Sequence, residues 1–229
     1  MATTSMPLED RARSTQEMMA YFGRMARDRR THGAEDLITA LVEAEVEGES
    51  LEEQGLLGFC VLLLLAGNET TTNLLGNLFN VLVDRPALWQ QLREERSLVE
   101  AVIEETLRYE SPIQRLVRNT TREIEVSGVR ISEGAYVSIV LGAANRDPAA
   151  FPRPDEFRLD WDLRNHVAFG AGIHYCLGAP LARAEASITL NTFLDRFPVL
   201  KRGRAPAVRQ TASFAVYGFQ QLPLVLAPA

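Results

Sequence analysis

The segment FGAGIHYCLGAPLAR, residues 169–183, places glycines, a histidine and a cysteine immediately before an amphipathic helix. Because glycine has no Cβ, a glycine-rich backbone can fold closely around a single sulfur atom. A cysteine at the start of a helix has its thiolate stabilised by free backbone N–H groups and by the positive end of the helix dipole. The segment therefore predicts a stabilised thiolate, which is a nucleophile or a metal ligand. The residues that carry the pattern are Gly170, Gly172, His174, Cys176 and Gly178.

The residues alone leave several roles open for Cys176. A nucleophilic cysteine needs a nearby base, and His174 lies two positions away. A cysteine can also pack in a core as a small hydrophobic residue without any chemistry. Zinc is disfavoured because Cys60, the other cysteine, is distant in sequence and the chain has only three histidines.

Composition and charge restrict the class of protein. With 229 residues, of which 46% are hydrophobic, the chain is long enough for one substantial core or two modest ones. Its formal net charge of -6 gives no electrostatic reason to bind nucleic acid. The chain begins without a signal-peptide pattern, and two cysteines make no disulfide framework, so we expect a cytoplasmic protein. The longest apolar run, within residues 59–66, is much shorter than the roughly 20 residues of a membrane span and predicts a core helix.

The sequence predicts a mainly α fold with small β-ribbons. The capping-box pairs Ser14–Glu17 and Ser50–Glu53 indicate two helix starts, and the second opens a helix over residues 51–83. Two further helices are expected before Ser111-Pro112. Short ribbons are expected afterwards, in residues 122–141 and 217–228, with an irregular meander at 145–165 and one more helix at 181–197.

The long helix is interrupted by the polar residues NETTTN, 68–73, inside an otherwise apolar pattern. Polar groups in a buried helix cost free energy unless they are paired, so the interruption is a solvated face or a site. Ala66 and Gly67 lie four and three positions before Thr70, on the same helix face, where small side chains leave a groove beside a hydroxyl. A bond from that hydroxyl to the carbonyl four residues earlier is the structural alternative.

Three motifs in this order resemble those of the cytochrome P-450 family. Residues 169–178 match its heme-binding signature, Phe-Gly-x-Gly-x-His-x-Cys-x-Gly. Ala66-Gly67-Asn68-Glu69-Thr70 and Glu105-x-x-Arg108 match two further signatures. The similarity runs from near residue 14 to the end and is greatest to soluble bacterial members.

The resemblance implies a bound heme b (iron protoporphyrin IX) and assigns roles around it. Cys176 would be the metal ligand, on the proximal side of the iron, while Glu69 and Thr70 would deliver protons to bound oxygen from the other side. Ala66 and Gly67 would leave room for O2. The residues expected to bind the cofactor are Ala66, Gly67, Arg118, Phe169, Gly170, Gly172, His174, Cys176 and Gly178, with Arg118 and His174 on the heme propionates.

Glu105 and Arg108 would form a buried structural pair, which the family completes with an arginine in the meander. Here Trp161 occupies that position. Arg158 or Arg164 are the candidate replacements. A buried pair without its third member is expected to leave the core less satisfied.

The resemblance covers only the C-terminal half of the family's fold, so residues 1–229 are expected to form a single partial domain that starts at the end of the G helix. The implied function is a monooxygenase that inserts one oxygen atom from O2 into an apolar small molecule, with electrons from a ferredoxin-type donor. The alternatives are a noncatalytic heme-binding or interaction module and a peroxidase-like protein. A truncated sequence, a degenerate remnant and a compact homodimer are the competing explanations of the short length.

Overall fold

The computed structural model describes residues 7–46, 49–162 and 165–227. The chain divides into two compact units, Met1–Glu69 and Thr70–Ala229. The expectation of a single partial domain over the whole chain stays a prediction.

The first unit contains two helices, a short ribbon and the start of a third helix. These elements are α1 (Leu8–His32), α2 (Leu37–Glu43), β1 (Glu45–Val46), β2 (Glu49–Ser50) and the first part of α3 (Glu53–Val83). Its small core contains Ala26, Leu56 and Cys60. Asp36 caps α2 by accepting a hydrogen bond from the Thr39 amide at 2.9 Å.

Both predicted helix starts need correction. α1 begins at Leu8, so Ser14 lies inside the helix, because the good helix formers of residues 8–13 extend it back to Pro7. Ser50 belongs to the β1–β2 ribbon, and α3 begins three residues later. A capping-box spacing is a local signal, and in both places the neighbouring residues determine the actual boundary.

In the second unit the end of α3 packs with three helices around one hydrophobic core. These helices are α4 (Pro86–Glu94), α5 (Leu98–Tyr109) and α7 (Ala179–Arg196). Trp89 is buried at one edge and donates from its indole nitrogen to the Phe197 carbonyl at 3.2 Å. The fully buried side chains at the centre of the core include Leu78, Leu82, Leu92, Val102, Leu190 and Leu194.

Small antiparallel ribbons surround these helices, which confirms the predicted fold class. β3 (Leu116–Asn119) pairs with β6 (Tyr136–Ile139), and β4 (Ile124–Val126) pairs with β5 (Val129–Ile131). A short helix, α6 (Leu141–Ala144), follows β6. The β4–β5 turn has positive φ at Ser127 and Gly128, as a tight hairpin turn requires.

The C-terminal segment does not form a ribbon with itself. β9 (Phe219–Gln221) pairs with β8 (Val208–Arg209), and β10 (Leu224–Ala227) pairs with β7 (Val199–Arg202). The ribbon expected in residues 217–228 therefore consists of two strands that each pair with a strand following α7, and not with each other.

The prediction that the apolar run of α3 is a core helix is only partly right. Within the run, Cys60 and Val61 are buried, whereas Leu62 is 57% exposed and Leu65 is 44% exposed. By length and composition α3 could also cross a membrane, a test that the core helices of soluble proteins pass as well.

Candidate functional site

The glycine-rich loop before α7 folds back on itself through backbone hydrogen bonds. The Cys176 amide donates to the Phe169 carbonyl at 3.0 Å, and the Tyr175 amide donates to the Gly172 carbonyl at 3.0 Å. Gly170 has φ 74° and Gly172 has φ 68°, in the left-handed region that favours glycine. The turn made by these residues brings Cys176 to the start of α7.

Cys176 is exposed, which rules out the interpretation as a buried hydrophobic residue. It lies three residues before Ala179, the first residue of α7. Cys60 is the contrasting case, since burial raises the pKa of its thiol. Among the described residues no cluster of three or more metal-binding side chains is present.

The donor set and surroundings of this loop fit a heme. A single exposed thiol at a helix N-terminus supplies one soft axial ligand. In the same loop, the large apolar side chains of Ile173 and Leu177 are 97% and 73% exposed. An exposed apolar surface around one thiolate suits a flat apolar macrocycle better than a hydrated metal ion.

Glu104 and Arg183 form a bidentate ion pair behind the loop that sequence reasoning missed. Arg183 donates to the two carboxylate oxygens at 2.6 and 2.8 Å, and His166 Nε2 lies 2.9 Å from Oε2. Burial raises the pKa of Glu104, but the hydrogen bonds from Arg183 and His166 outweigh it and lower the pKa to about 2. The signal in the sequence was the pair of adjacent carboxylates, Glu104 and Glu105, directly after the apolar residues Val102 and Ile103.

The Glu105–Arg108 pair is fully buried and fully hydrogen-bonded. The prediction that it would leave buried polar groups without partners is therefore wrong. Arg108 Nε and Nη2 each donate to the Glu105 carboxylate at 2.7 Å. The remaining guanidinium donors reach three backbone carbonyls of the meander, at Asn145, Pro154 and Glu156, each at 2.9 Å. All five N–H groups of this guanidinium are therefore satisfied.

A backbone group and an aromatic ring stand where a third charged side chain was expected. The Arg158 amide donates to Glu105 Oε1 at 2.8 Å, while the Arg158 side chain pairs with Asp160. The Trp161 ring lies 4.8 Å from the Arg108 guanidinium carbon, a cation–π distance. Arg164 lies outside the described residues.

Asn145 joins the buried pair to the loop, and no sequence signal distinguished it. Its side-chain oxygen accepts from the Val167 amide at 2.7 Å, and its side-chain nitrogen donates to Ser111 Oγ at 2.8 Å. Its own carbonyl accepts from Arg108. One fully buried amide thus connects α5, the meander and the loop of residues 168–178 that carries Cys176, called the thiolate loop below.

The residues predicted to lie on the oxygen side of the heme are close together on α3. Ala66, Gly67 and Glu69 end the first unit and Thr70 begins the second, on one uninterrupted helix. Beyond its own helix and chain neighbours, a Cβ added at Gly67 would meet nothing within 4 Å, so space is open beside it. Their catalytic and oxygen-binding roles stay predictions.

Arg118 lies on β3, opposite Val137 of β6. Its guanidinium is exposed and donates to the Val117 carbonyl at 3.0 Å. Because the strand pairing fixes its backbone and solvent surrounds its side chain, Arg118 is free to turn towards an anionic ligand. The predicted role at a heme propionate stays a prediction, as does that of His174.

Comparison with known proteins identifies the family. The family model described as Cytochrome P450 matches residues 8–219. Cytochrome P450 109 of Bacillus spizizenii is 44% identical over 205 residues, which cover 89% of this chain and 51% of that protein. Cyclomarin C epoxidase CymV of Salinispora arenicola is 45% identical over 186 residues, covering 81% and 47%.

Solved structures give the same result. Cytochrome P450 CYP109Q5 from Chondromyces apiculatus superposes with a TM-score of 0.90 at 43% identity, covering 95% of this chain and 56% of that one. CYP109E1 from Bacillus megaterium, in complex with testosterone, gives 0.89 at 38% identity, covering 94% and 60%. The chain spans about half the length of the curated relatives it matches. By family model, identity and fold, the chain belongs to the cytochrome P450 family.

Proposed function

We propose that this chain is the heme-binding part of a monooxygenase that inserts one oxygen atom from O2 into an apolar small molecule. The observation that carries the proposal is the exposed Cys176, held at the N-terminus of α7 by a loop with two left-handed glycines. An accessible sulfur beside the exposed apolar side chains of Ile173 and Leu177 makes no contribution to a core, so its position points to a ligand.

The residues of the chain divide the work around heme b. Cys176 offers its sulfur as the metal ligand, and the loop residues Phe169, Gly170, Gly172 and Gly178 shape the backbone that holds it. His174 and Arg118 offer a ring N–H and a guanidinium to the propionates. Bound heme supplies the activation of O2, which electron donation from a thiolate favours.

On the other side of the site, α3 provides the proton-handling groups. The Glu69 carboxyl and the Thr70 hydroxyl hold and pass protons towards the oxygen site. The small Ala66 and Gly67 leave space for O2 and for the edge of a substrate. These four residues lie within five consecutive positions of α3.

Two of the solved structures support an apolar substrate. CYP109E1 is described in complex with testosterone, and P450BioI in complex with a fatty acid ligated to acyl carrier protein. We infer a small apolar substrate, a ferredoxin-type donor and a cytoplasmic location. The acidic net charge of -6 argues against a nucleic-acid partner.

A second candidate function, peroxidase-like turnover, is favoured by one observation. Leu62, Leu64 and Leu65 of α3 are between 44% and 57% exposed, so the part of the helix next to Ala66 is open to solvent. Peroxide reaches an open heme without an electron partner. A noncatalytic module, alone or as a homodimer, is the remaining alternative.

The experiment is the absorption spectrum of the heme-supplemented protein, reduced with dithionite under carbon monoxide. The wild-type chain is expected to show the red-shifted Soret band that gives the family its name, and Cys176→Ala is expected to lose it. Cys60→Ala is the matched control and is expected to keep the band. A spectrum that is identical in wild type and Cys176→Ala would overturn the proposal. Turnover with peroxide but not with O2 and a donor would favour the second candidate.

A further inference from the structure

Glu104 occupies an unusual position between two helices and the thiolate loop. Its carboxylate accepts hydrogen bonds from Nε and Nη2 of Arg183, on α7. It also pairs with Nε2 of His166, in the segment that leads into the loop. The His166 ring is 3% exposed and the Glu104 side chain is 20% exposed. The Arg183 side chain is 36% exposed, so the pair is partly buried, and its bidentate geometry strengthens it relative to a single contact.

The hydrogen bonds of His166 fix its orientation as well as its partner. The Ala168 amide donates to His166 Nδ1 at 3.2 Å, so Nδ1 acts as an acceptor. The ring proton is therefore assigned to Nε2, which donates to Glu104 Oε2 at 2.9 Å. The ring connects the carboxylate directly to the backbone one residue before Phe169.

Arg183 contacts Glu104 and also two loop residues that precede Cys176. Its guanidinium carbon lies 4.6 Å from the centre of the Phe169 ring, and Nη1 lies 3.3 Å from the Tyr175 hydroxyl. Tyr175 precedes Cys176, and the Phe169 carbonyl accepts the Cys176 amide at 3.0 Å. The chain neighbour of the cysteine and the residue that accepts its amide hydrogen bond are thus both in contact with one guanidinium.

We propose that Glu104, His166 and Arg183 are positioning residues for Cys176, which hold the thiolate loop in its ligand-ready conformation before the cofactor binds. This inference rests on the proposed function for the identity of the ligand. Holding the loop in advance reduces the conformational entropy that binding must otherwise remove. None of the three residues is placed at the reacting atoms.

The first test follows amide hydrogen exchange in the full chain without heme. Glu104→Gln removes the negative charge at nearly constant volume and is expected to speed exchange in residues 168–176 at least tenfold. Exchange in the buried turns of α4 is expected to rise much less than exchange in the loop. The control is Asp84→Asn, which breaks the more exposed pair with Arg202, whose Nε lies 2.9 Å from Asp84, and which should leave the loop unchanged.

Conservative substitutions distinguish positioning from simple loss of packing. His166→Gln keeps a donor for Glu104 and is expected to retain most of the loop protection, whereas His166→Phe is expected to lose it. Arg183→Lys keeps the charge but not the fork, and is expected to fall between wild type and Glu104→Gln. If Glu104→Gln does not fold, this series gives the same information.

The second readout is the reduced, carbon-monoxide-bound spectrum after heme addition. Each loop-loosening variant is expected to show a smaller share of thiolate-ligated heme, in the same rank order as its exchange rates. Unchanged loop exchange in both Glu104→Gln and His166→Phe would overturn the inference, and so would a uniform rise of exchange across the second unit. Faster loop exchange, in a protein whose spectrum ignores Cys176→Ala, would uphold the positioning role and refute the heme ligand.

Discussion

Replacing Arg108 by lysine tests whether the buried pair is complete without a third charged side chain. The guanidinium fills five acceptor positions, two on Glu105 and three on meander carbonyls. A lysine ammonium has three donors, so at least two buried acceptors lose their partner. At about 1–3 kcal/mol for each unsatisfied buried group, the free energy of unfolding should fall by about 2–6 kcal/mol. That loss is a large share of the 5–15 kcal/mol typical of a whole protein, at the order-of-magnitude level.

The assay is urea unfolding followed by far-ultraviolet circular dichroism. With a slope of about 1–3 kcal/mol per molar urea, the midpoint of Arg108→Lys should drop by about 1 M or more while the slope stays unchanged. Arg202→Lys is the control, because Arg202 and its partner Asp84 are 39% and 55% exposed. Its effect should remain below about 1 kcal/mol. The reasoning fails if the two variants shift the midpoint equally.

Three further predictions concern the loop and its surroundings. Because the pKa of Glu104 is lowered to about 2 in the folded protein, its contribution is complete above its unfolded pKa and is lost as the pH falls towards 2. Between pH 5 and pH 2 the free energy of unfolding of the wild type should therefore fall by on the order of 3 kcal/mol more than that of Glu104→Gln. Gly170→Ala forces a Cβ at φ 74° and should lower stability by about 1–2 kcal/mol in a thermal melt, whereas Gly55→Ala in α3 should not. Trp161→Arg should destabilise by about 1–3 kcal/mol, since the new cation would face Arg108 with no free carboxylate; a gain in stability would show that the pair does need a third charge.

The elements that the sequence predicted well are those with local causes. The β4–β5 hairpin follows from Ser127-Gly128, and α3 follows from a long apolar pattern without proline. The backbone of the thiolate loop follows from Gly170 and Gly172, whose positive φ values only glycine adopts at low cost. Each of these needs information from a few neighbouring residues only.

The contacts that sequence reasoning missed join residues that are far apart along the chain. Arg183 reaches Glu104 across 79 positions, and His166 reaches the same carboxylate across 62. The prediction that the Glu105–Arg108 pair would lack a hydrogen-bond partner was wrong for a related reason. A motif counts side chains, whereas the Arg158 backbone amide supplies the missing donor. Backbone donors depend on how the meander folds, which no short pattern specifies.

Two adjacent carboxylates on α5 explain how one helix can secure both ends of the segment that carries the site. Successive helix positions are about 100° apart, so Glu104 and Glu105 face different neighbours. Glu105 fixes the meander through Arg108, and Glu104 fixes the start of α7 through Arg183. Asn145 links the two networks, because its carbonyl accepts from Arg108 while its side chain accepts from the Val167 amide. The segment that carries Cys176 is therefore tied at two points to a single turn of α5.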